Sequence, residues 1–333
     1  MMRIVAMVAN ALRCARFALL SALVLPAALH AQRGGENLVR FRASNIEVTI
    51  RFRDTRSTDM ENQIREVMSG ALARYTEVFG ALPRAMDGTP TVKLTLNVAF
   101  DQLGGGSAEP GVLSLLIGRQ PAFGFYDWKM TLLHETFHLW NGESFRFAGP
   151  GEEWFNEGAS EFYAAQTAAR LGLMDDLTAI RAAATAVGFY ASASGQDRLT
   201  LSQAGQQKGG GANQFLVHYG GWTAALLLDR TIRGRTNDAK SLDDVMRWMH
   251  ANHDRAARRY TTMDVARAVR EATGEDLTEF FARHVMGGLP LPVSATINLG
   301  ELALAVQARG ARDVVAPTPD ALTLRSLGLR AGR

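Results

Sequence analysis

Two histidines four residues apart, His134 and His138, enclose a carboxylate in the run His134-Glu135-Thr136-Phe137-His138, and a further carboxylate, Glu157, follows after eighteen residues. On a helix, positions i and i+4 lie one above the other, so both imidazoles leave the same face and can share one cation. Two neutral ring nitrogens and a carboxylate from a second helix make three ligands. A tetrahedral ion then keeps its fourth position for water, which is the arrangement of a catalytic rather than a structural site. The donor set contains nitrogen and oxygen but no sulfur, which suits Zn2+, one per chain. The chemistry implied is hydrolysis by an activated water. Glu135 is the candidate general base rather than a ligand, because a fourth protein ligand would close the open position.

Such a site needs two helices at fixed distance. Asp127 offers an N-cap, and no Gly or Pro interrupts the chain from there to Gly142, so the first helix is expected over that stretch. The second is expected from Glu152 to Leu171, with Trp154, Phe155, Ala159, Phe162, Ala165 and Ala169 as packing positions. Glu161 stands one turn after Glu157 on the same face, placed to accept a hydrogen bond from a ligating imidazole; Asn156, next to Glu157, is a second candidate for such support.

The two segments together resemble the gluzincin metallopeptidases, and their wording is closest to the glycyl-aminopeptidase-like family. The phrases are His134-Glu135-Thr136-Phe137-His138-Leu139-Trp140-Asn141 and Trp154-Phe155-Asn156-Glu157-Gly158-Ala159-Ser160-Glu161-Phe162-Tyr163, with Gly221 to Arg230, Ser241 to Val245 and Gly274 to Phe281 as looser matches. The likeness covers roughly residues 60 to 295. It implies a zinc peptidase, an aminopeptidase by family habit, with endopeptidase activity as the alternative and a non-catalytic zinc- or peptide-binding protein as a more distant one. It also implies a tyrosine three residues before the glycine that opens the later helix, where its hydroxyl steadies the oxyanion. Counting from Gly221 puts His218 in that place, whereas Tyr219 serves if the loop is shifted by one residue; the reading inclines to Tyr219. In related aminopeptidases a glycine-rich segment ending in glutamate forms a substrate-binding strand whose carboxylate holds the free amino terminus. Gly105, Gly106 and Glu109 are the matching candidates, although Pro110 and Gly111 fit a plain surface turn as well.

The chain opens with Arg3, Arg13 and Arg16, then an apolar stretch from Phe17 to Leu29 and the small-residue ending His30-Ala31-Gln32. This reads as a secretory signal over residues 1–31, too short to span a bilayer, cleaved after Ala31, with a secreted or periplasmic destination. Its removal takes three arginines and no acids from 36 basic and 33 acidic residues, so the mature chain is balanced. No global field draws it to nucleic acid, and no later segment is a candidate for membrane insertion. Cys14, the only cysteine, leaves with the leader, so neither a disulfide nor a thiolate ligand is available. The expected partner is a peptide or protein substrate; oligomeric state is not legible.

The remaining pattern is α+β and thermolysin-like. A small sheet-bearing part spans 32–126, with a strand over Leu38 to Phe52, a helix capped by Thr58 and running to Phe79, and strands at Val92 to Val98 and Val112 to Ile117. The zinc helix opens a mainly helical part, 127–290, followed at 291–333 by strand-like stretches at Val293 to Leu299 and Leu302 to Val306 and a poorly ordered tail. Ser192 to Asn213 reads as a glycine-rich loop, and His250 and His253 as surface residues. Longer relatives carry flanking domains for which this chain leaves no room, so it reads as the catalytic part alone.

Overall fold

The computed structural model describes residues 37–54, 57–118, 127–197, 199–207, 211–293 and 320–329. The leader-like segment lies outside them. Five strands form one sheet in the order β1-β2-β3-β5-β4. The stretch expected as one strand is a hairpin, β1 (Leu38–Ala43) and β2 (Ile46–Phe52), paired antiparallel from Leu38↔Arg51 to Ala43↔Ile46. Ser44 and Asn45 turn the chain with φ of 47° and 64°, the two left-handed residues that a tight two-residue hairpin needs. From β2 the chain crosses through α1 (Thr58–Phe79) to β3 (Lys93–Asp101), which lies parallel to β2. β4 (Gly105–Glu109) then takes the edge, antiparallel to β5 (Val112–Gly118), while β5 is parallel to β3.

Alternation along the strands puts Val48, Ile50, Leu94, Leu96, Leu113 and Leu115 on one buried face. The apolar stripe of α1, including Ile64, Met68, Leu72, Tyr75 and Phe79, is buried in the same core. The cap of α1 is Ser57, one residue earlier than expected. Its backbone is extended and its hydroxyl accepts from Met60 N at 3.1 Å, which Thr58, already helical, cannot do. α1 in turn grips α2 (Trp128–His138): Tyr75 O–H donates to the Leu133 carbonyl at 3.1 Å, and Phe79 stacks on Trp140 at 5.5 Å just past the helix end. Asp127 caps α2 as expected, accepting from Lys129 N and Met130 N.

The rest of the chain is mostly helical. α3 (Glu153–Arg170) matches its expected span within a residue, and α4 (Asp176–Asp197), α5 (Leu201–Gln206) and α6 (Gly211–Phe215) run through most of the stretch read as a loop. Ala182, Ala183, Ala186, Val187 and Tyr190 are buried along α4, and Thr200 with Gln203 forms a capping box on α5. Burial and capping outweigh the glycine content that suggested a loop. A π-helical turn, Leu216–Gly220, runs directly into α7 (Gly221–Arg235), followed by α8 (Leu242–Asn252), α9 (Thr262–Thr273) and the short α10 (Thr278–Phe280) with its π-helical extension, Phe281–Val285.

Near the C-terminus, α11 (Ala321–Ser326) is a packed helix where a disordered tail was expected. Leu327 and Leu329 are buried, Gln166 Nε2 donates to the Ser326 carbonyl at 3.0 Å, and Arg230 Nε to Thr323 Oγ1 at 3.1 Å. The strand-like stretches beyond Val293 fall outside the described residues. No helix among the described residues is long and apolar enough to cross a membrane.

His250 and His253 are not surface residues: they are 4% and 3% exposed. The amphipathic face of α8 turns His250 against Phe79 and Phe145, and the Arg84 guanidinium donates to the His250 and His253 carbonyls. Burial, reinforced by the Arg84 charge, lowers the His250 imidazole to about 3. Its folded pKa thus lies below the unfolded value of 6.5, so the unfolded chain binds the proton first as pH falls. The consequence is a loss of stability from about pH 6.5 downward, with a slope of up to about 1.4 kcal/mol per pH unit from this residue. Urea unfolding of the metal-free protein at pH 7 and pH 5 is expected to show a smaller pH difference in His250→Gln than in the parent.

Candidate metal centre

α2 and α3 bring the three expected ligands together. His134 Nε2 and His138 Nε2 are 2.9 Å apart, and Glu157 Oε2 lies 3.2 Å from the first and 3.4 Å from the second. Ligands about 2.0–2.1 Å from a tetrahedral ion stand roughly 3.3 Å from one another, so the triangle fits a small cation at its centre. The far sides of the rings are also arranged for that tautomer. His138 Nδ1–H donates to the Asn141 carbonyl at 2.9 Å with Ser160 Oγ at 3.3 Å, while His134 Nδ1 faces Glu161 Oε1 at 3.6 Å. Asn156 Nδ2 donates to Glu157 Oε1 at 3.0 Å, which leaves Oε2 turned to the imidazoles.

Charge explains why these groups tolerate burial. Desolvation by itself would raise the Glu157 carboxyl, but His138 and His134 outweigh it and hold it well below the usual carboxylate range. Glu161 follows the same pattern: desolvation works upward, and His134 and His218 bring it down to about 2. Conversely, desolvation pulls the His134 ring down, yet Glu161 and Glu157 push it well above its ordinary value. Glu135 differs, because burial dominates there and raises its carboxyl.

The loop between the two helices supplies positioning residues that the sequence reading passed over. Asn141 Nδ2 donates to the Phe155 and Asn156 carbonyls, tying the end of α2 to the start of α3, and Tyr260 O–H reaches Asn141 Oδ1 at 3.4 Å. Ser160, one turn after Asn156, donates to the Asn156 carbonyl. Asn141 follows His138 by three residues and Ser160 follows Glu157 by three, spacings that mark them once a helix pair is assumed. Tyr260 had no local signal.

His218 and Tyr219 separate clearly. His218 Nδ1 lies 3.3 Å from Glu161 Oε1 and 3.9 Å from Glu157 Oε2, and the ring stacks over His134. Tyr219 turns away into a stack with Phe189 at 4.9 Å and Phe215 at 5.7 Å. His218, the residue that the strict count from Gly221 gives, is the one of the pair whose ring lies against His134 and Glu157. One residue along a helix rotates a side chain by about 100°, so the two cannot face the same way. Their register is set where α3 and α7 cross. A Cβ on Gly158 would overlap the Gly221 backbone, and one on Gly221 would overlap the Trp154 carbonyl, so only glycines permit this approach.

β4 closes the site from the sheet side. A Cβ on Gly106 would lie 2.5 Å from Glu135 Cγ and 2.9 Å from its Oε1, so the bare backbone lets the edge strand pass directly beside the base. Gly106 and Ala108 share the register rows of the buried Leu115 and Leu113. Gly105 and Glu109 pair with Leu116 and Val112 in the alternate rows, and the Glu109 side chain is exposed on the opposite face of the strand. The structure thus brings Gly106 beside Glu135 and places Glu109 as an exposed residue at the far end of the same strand.

No family model matches the sequence, and no curated protein matches it. Among solved structures, the fold is similar to that of an aminopeptidase N family protein from Idiomarina loihiensis, with a TM-score of 0.66 and 17% identity over 79% of this chain and 49% of that one. Legionella pneumophila aminopeptidase A in complex with aspartic acid aligns at a TM-score of 0.48 and 12% identity over 76% of this chain and 28% of that one. This chain spans about half the length of the Idiomarina protein. The likeness is one of fold: in this chain an α+β arrangement, with a small five-stranded sheet followed by a mainly helical remainder.

Gly106→Ala tests how closely the strand must approach. The added methyl would sit 2.5 Å from Glu135 Cγ, so Glu135 or the edge strand must shift by about 1 Å, and if Glu135 is the base a misplacement of that order costs on the order of 10²-fold in rate. The expected outcome is unchanged metal binding by chelator competition with a collapsed turnover number.

Proposed function

We propose that this protein is a zinc-dependent peptidase that hydrolyses peptide bonds through a metal-bound water, acting as an aminopeptidase. The observation that carries the reading is the convergence of His134, His138 and Glu157 within metal-ligand distance, with Glu135 adjacent on the zinc helix and not among the ligands. Bound there, zinc would polarise the substrate carbonyl and acidify its water. Glu135 would accept the water proton and return it to the leaving amine. Asn141 and Glu161 would keep the two ring Nδ1 atoms occupied, so that both Nε2 atoms stay available to the ion. Among the described residues β4 ends the sheet, and its outer edge offers backbone groups for an extended peptide to pair with.

The aminopeptidase assignment draws on the Idiomarina likeness and on the sequence resemblance. Glu109, exposed at the end of β4, is the candidate carboxylate for a free amino terminus, and an endopeptidase is the second reading. Leader-like residues 1–31 support export to the periplasm or beyond, with peptides or proteins met there as substrates.

Glu135→Gln is expected to retain about one zinc per chain by atomic absorption and to lose roughly 10²–10⁴-fold in turnover; full activity in that variant rules out the assigned base. Chelation of the parent should abolish hydrolysis, and added zinc restore it. Paired digests of free-amine and N-acetylated peptides then separate the two readings. Loss of cleavage on acetylation marks an aminopeptidase, and indifference marks an endopeptidase.

A further inference from the structure

A row of arginines runs along the sheet face opposite α1 and α2. Val48 and Ile50 of β2 lie in the core with the stripe of α1, so the alternate residues of β1 and β2 stand on the other face. Arg40 and Arg42 on β1 and Arg51 on β2 are exposed there. Arg53, also exposed, continues the row one step past β2, where its backbone N–H donates to the Val98 carbonyl at 2.9 Å. The register sets neutral residues beside most of them: Arg40 pairs with Thr49, and Arg51 lies between Leu38 and Asn97. Arg42 faces Glu47, which has Lys93 on its other side. Among the described residues none of the four guanidiniums enters an ion pair. With about 3.3 Å per residue and about 4.8 Å between strands, their backbones trace a stripe roughly 20 Å long and one strand spacing wide. In a chain whose charge is otherwise balanced, this stripe is a local excess of positive charge.

We propose that Arg40, Arg42, Arg51 and Arg53 form a docking face for an anionic phospholipid surface, on which the protein rests through the β1–β2 hairpin. Guanidinium groups match phosphate oxygens with paired hydrogen bonds, and several such groups on one face of a sheet can meet several headgroups at once. The rows of this face carry no aromatic ring on which the bases of a nucleic acid would stack. The leader-like apolar stretch ends at Leu29, nine residues before Leu38, so export would bring this hairpin close to a bilayer. Docking here leaves the metal centre open. Gly106 and Glu135 meet at the β4 edge, on the face where α2 packs, whereas β1 forms the opposite edge of the sheet. Contact is by charge alone, without insertion of an apolar segment.

Co-sedimentation of the exported protein with vesicles tests this, and its outcome does not depend on whether peptides are cleaved. Vesicles of phosphatidylcholine mixed with phosphatidylglycerol should carry the protein down, and vesicles of phosphatidylcholine alone should not. Raising salt from about 0.1 M to about 1 M shortens the screening length from about 10 Å to about 3 Å and should release it. Arg40→Gln, Arg42→Gln, Arg51→Gln and Arg53→Gln combined should weaken binding on the order of 10²-fold. A second variant removes the same charge from the helical part, at the exposed Arg235, Arg267, Arg270 and Arg283, each to Gln, and should bind nearly as the parent does. The proposal is overturned if the parent sediments equally with both vesicles, if the four-arginine sheet variant binds as the parent does, or if the helical variant loses as much. Retention on immobilised polyglutamate through the same arginines, with no vesicle binding, also overturns it and points to an acidic protein instead.

Discussion

Two carboxylates and two imidazoles buried together, with a third imidazole at their margin, are the constraint around which the structure is organised. Removing an isolated ion from water costs several kcal/mol even after relaxation, so none of these groups is tolerable alone. Glu157 and Glu161 remain ionised because His134, His138 and His218 surround them, and the rings accept burial because the carboxylates are there. Each ring nitrogen that faces away from the triad has an oxygen near it. What remains is a converging set of donors from His134, His138 and Glu157 that could hold a metal ion.

Such a cluster needs rigid supports. α1 supplies one by clamping α2 through Tyr75 and the Phe79–Trp140 stack. A polar network behind α3 supplies another: Arg74 donates to both Asp243 and Gln166, Tyr163 donates to Asp243, and Gln166 reaches the C-terminal helix. Close backbone approach supplies the third. Gly158 with Gly221, and Gly106 with Glu135, are places where a missing Cβ decides which side chains meet. The same residue type that weakens a helix by propensity here permits the contact that the site requires.

Much of the metal centre was legible before the fold was known, for a local reason. A helix converts i, i+4 spacing into a common face, so His134 with His138, and Glu157 with Glu161, declare their geometry in the sequence itself. Asp127 as a cap and the alternation of β3 are legible in the same way. Distant relations were not. Whether His218 or Tyr219 faces the metal depends on where α7 crosses α3, and that crossing is visible only as two glycines 63 positions apart. Tyr260 reaches Asn141 from a loop more than a hundred residues downstream. His250 and His253 looked solvated beside a charged run, yet packing of α8 against Phe79 and Phe145 buries them.

The sequence by itself determined the candidate ligand set, the candidate base, the two helices that carry them and the α+β order of elements, because each depends on periodicity and capping within about twenty residues. Tertiary structure alone decided that β4 lies on Glu135, that Glu161 Oε1 stands near two imidazole rings, and that the C-terminal segment packs as a helix against α7. Those outcomes depend on which surfaces meet, and contact between remote surfaces is set by the whole core and not by any window of the chain.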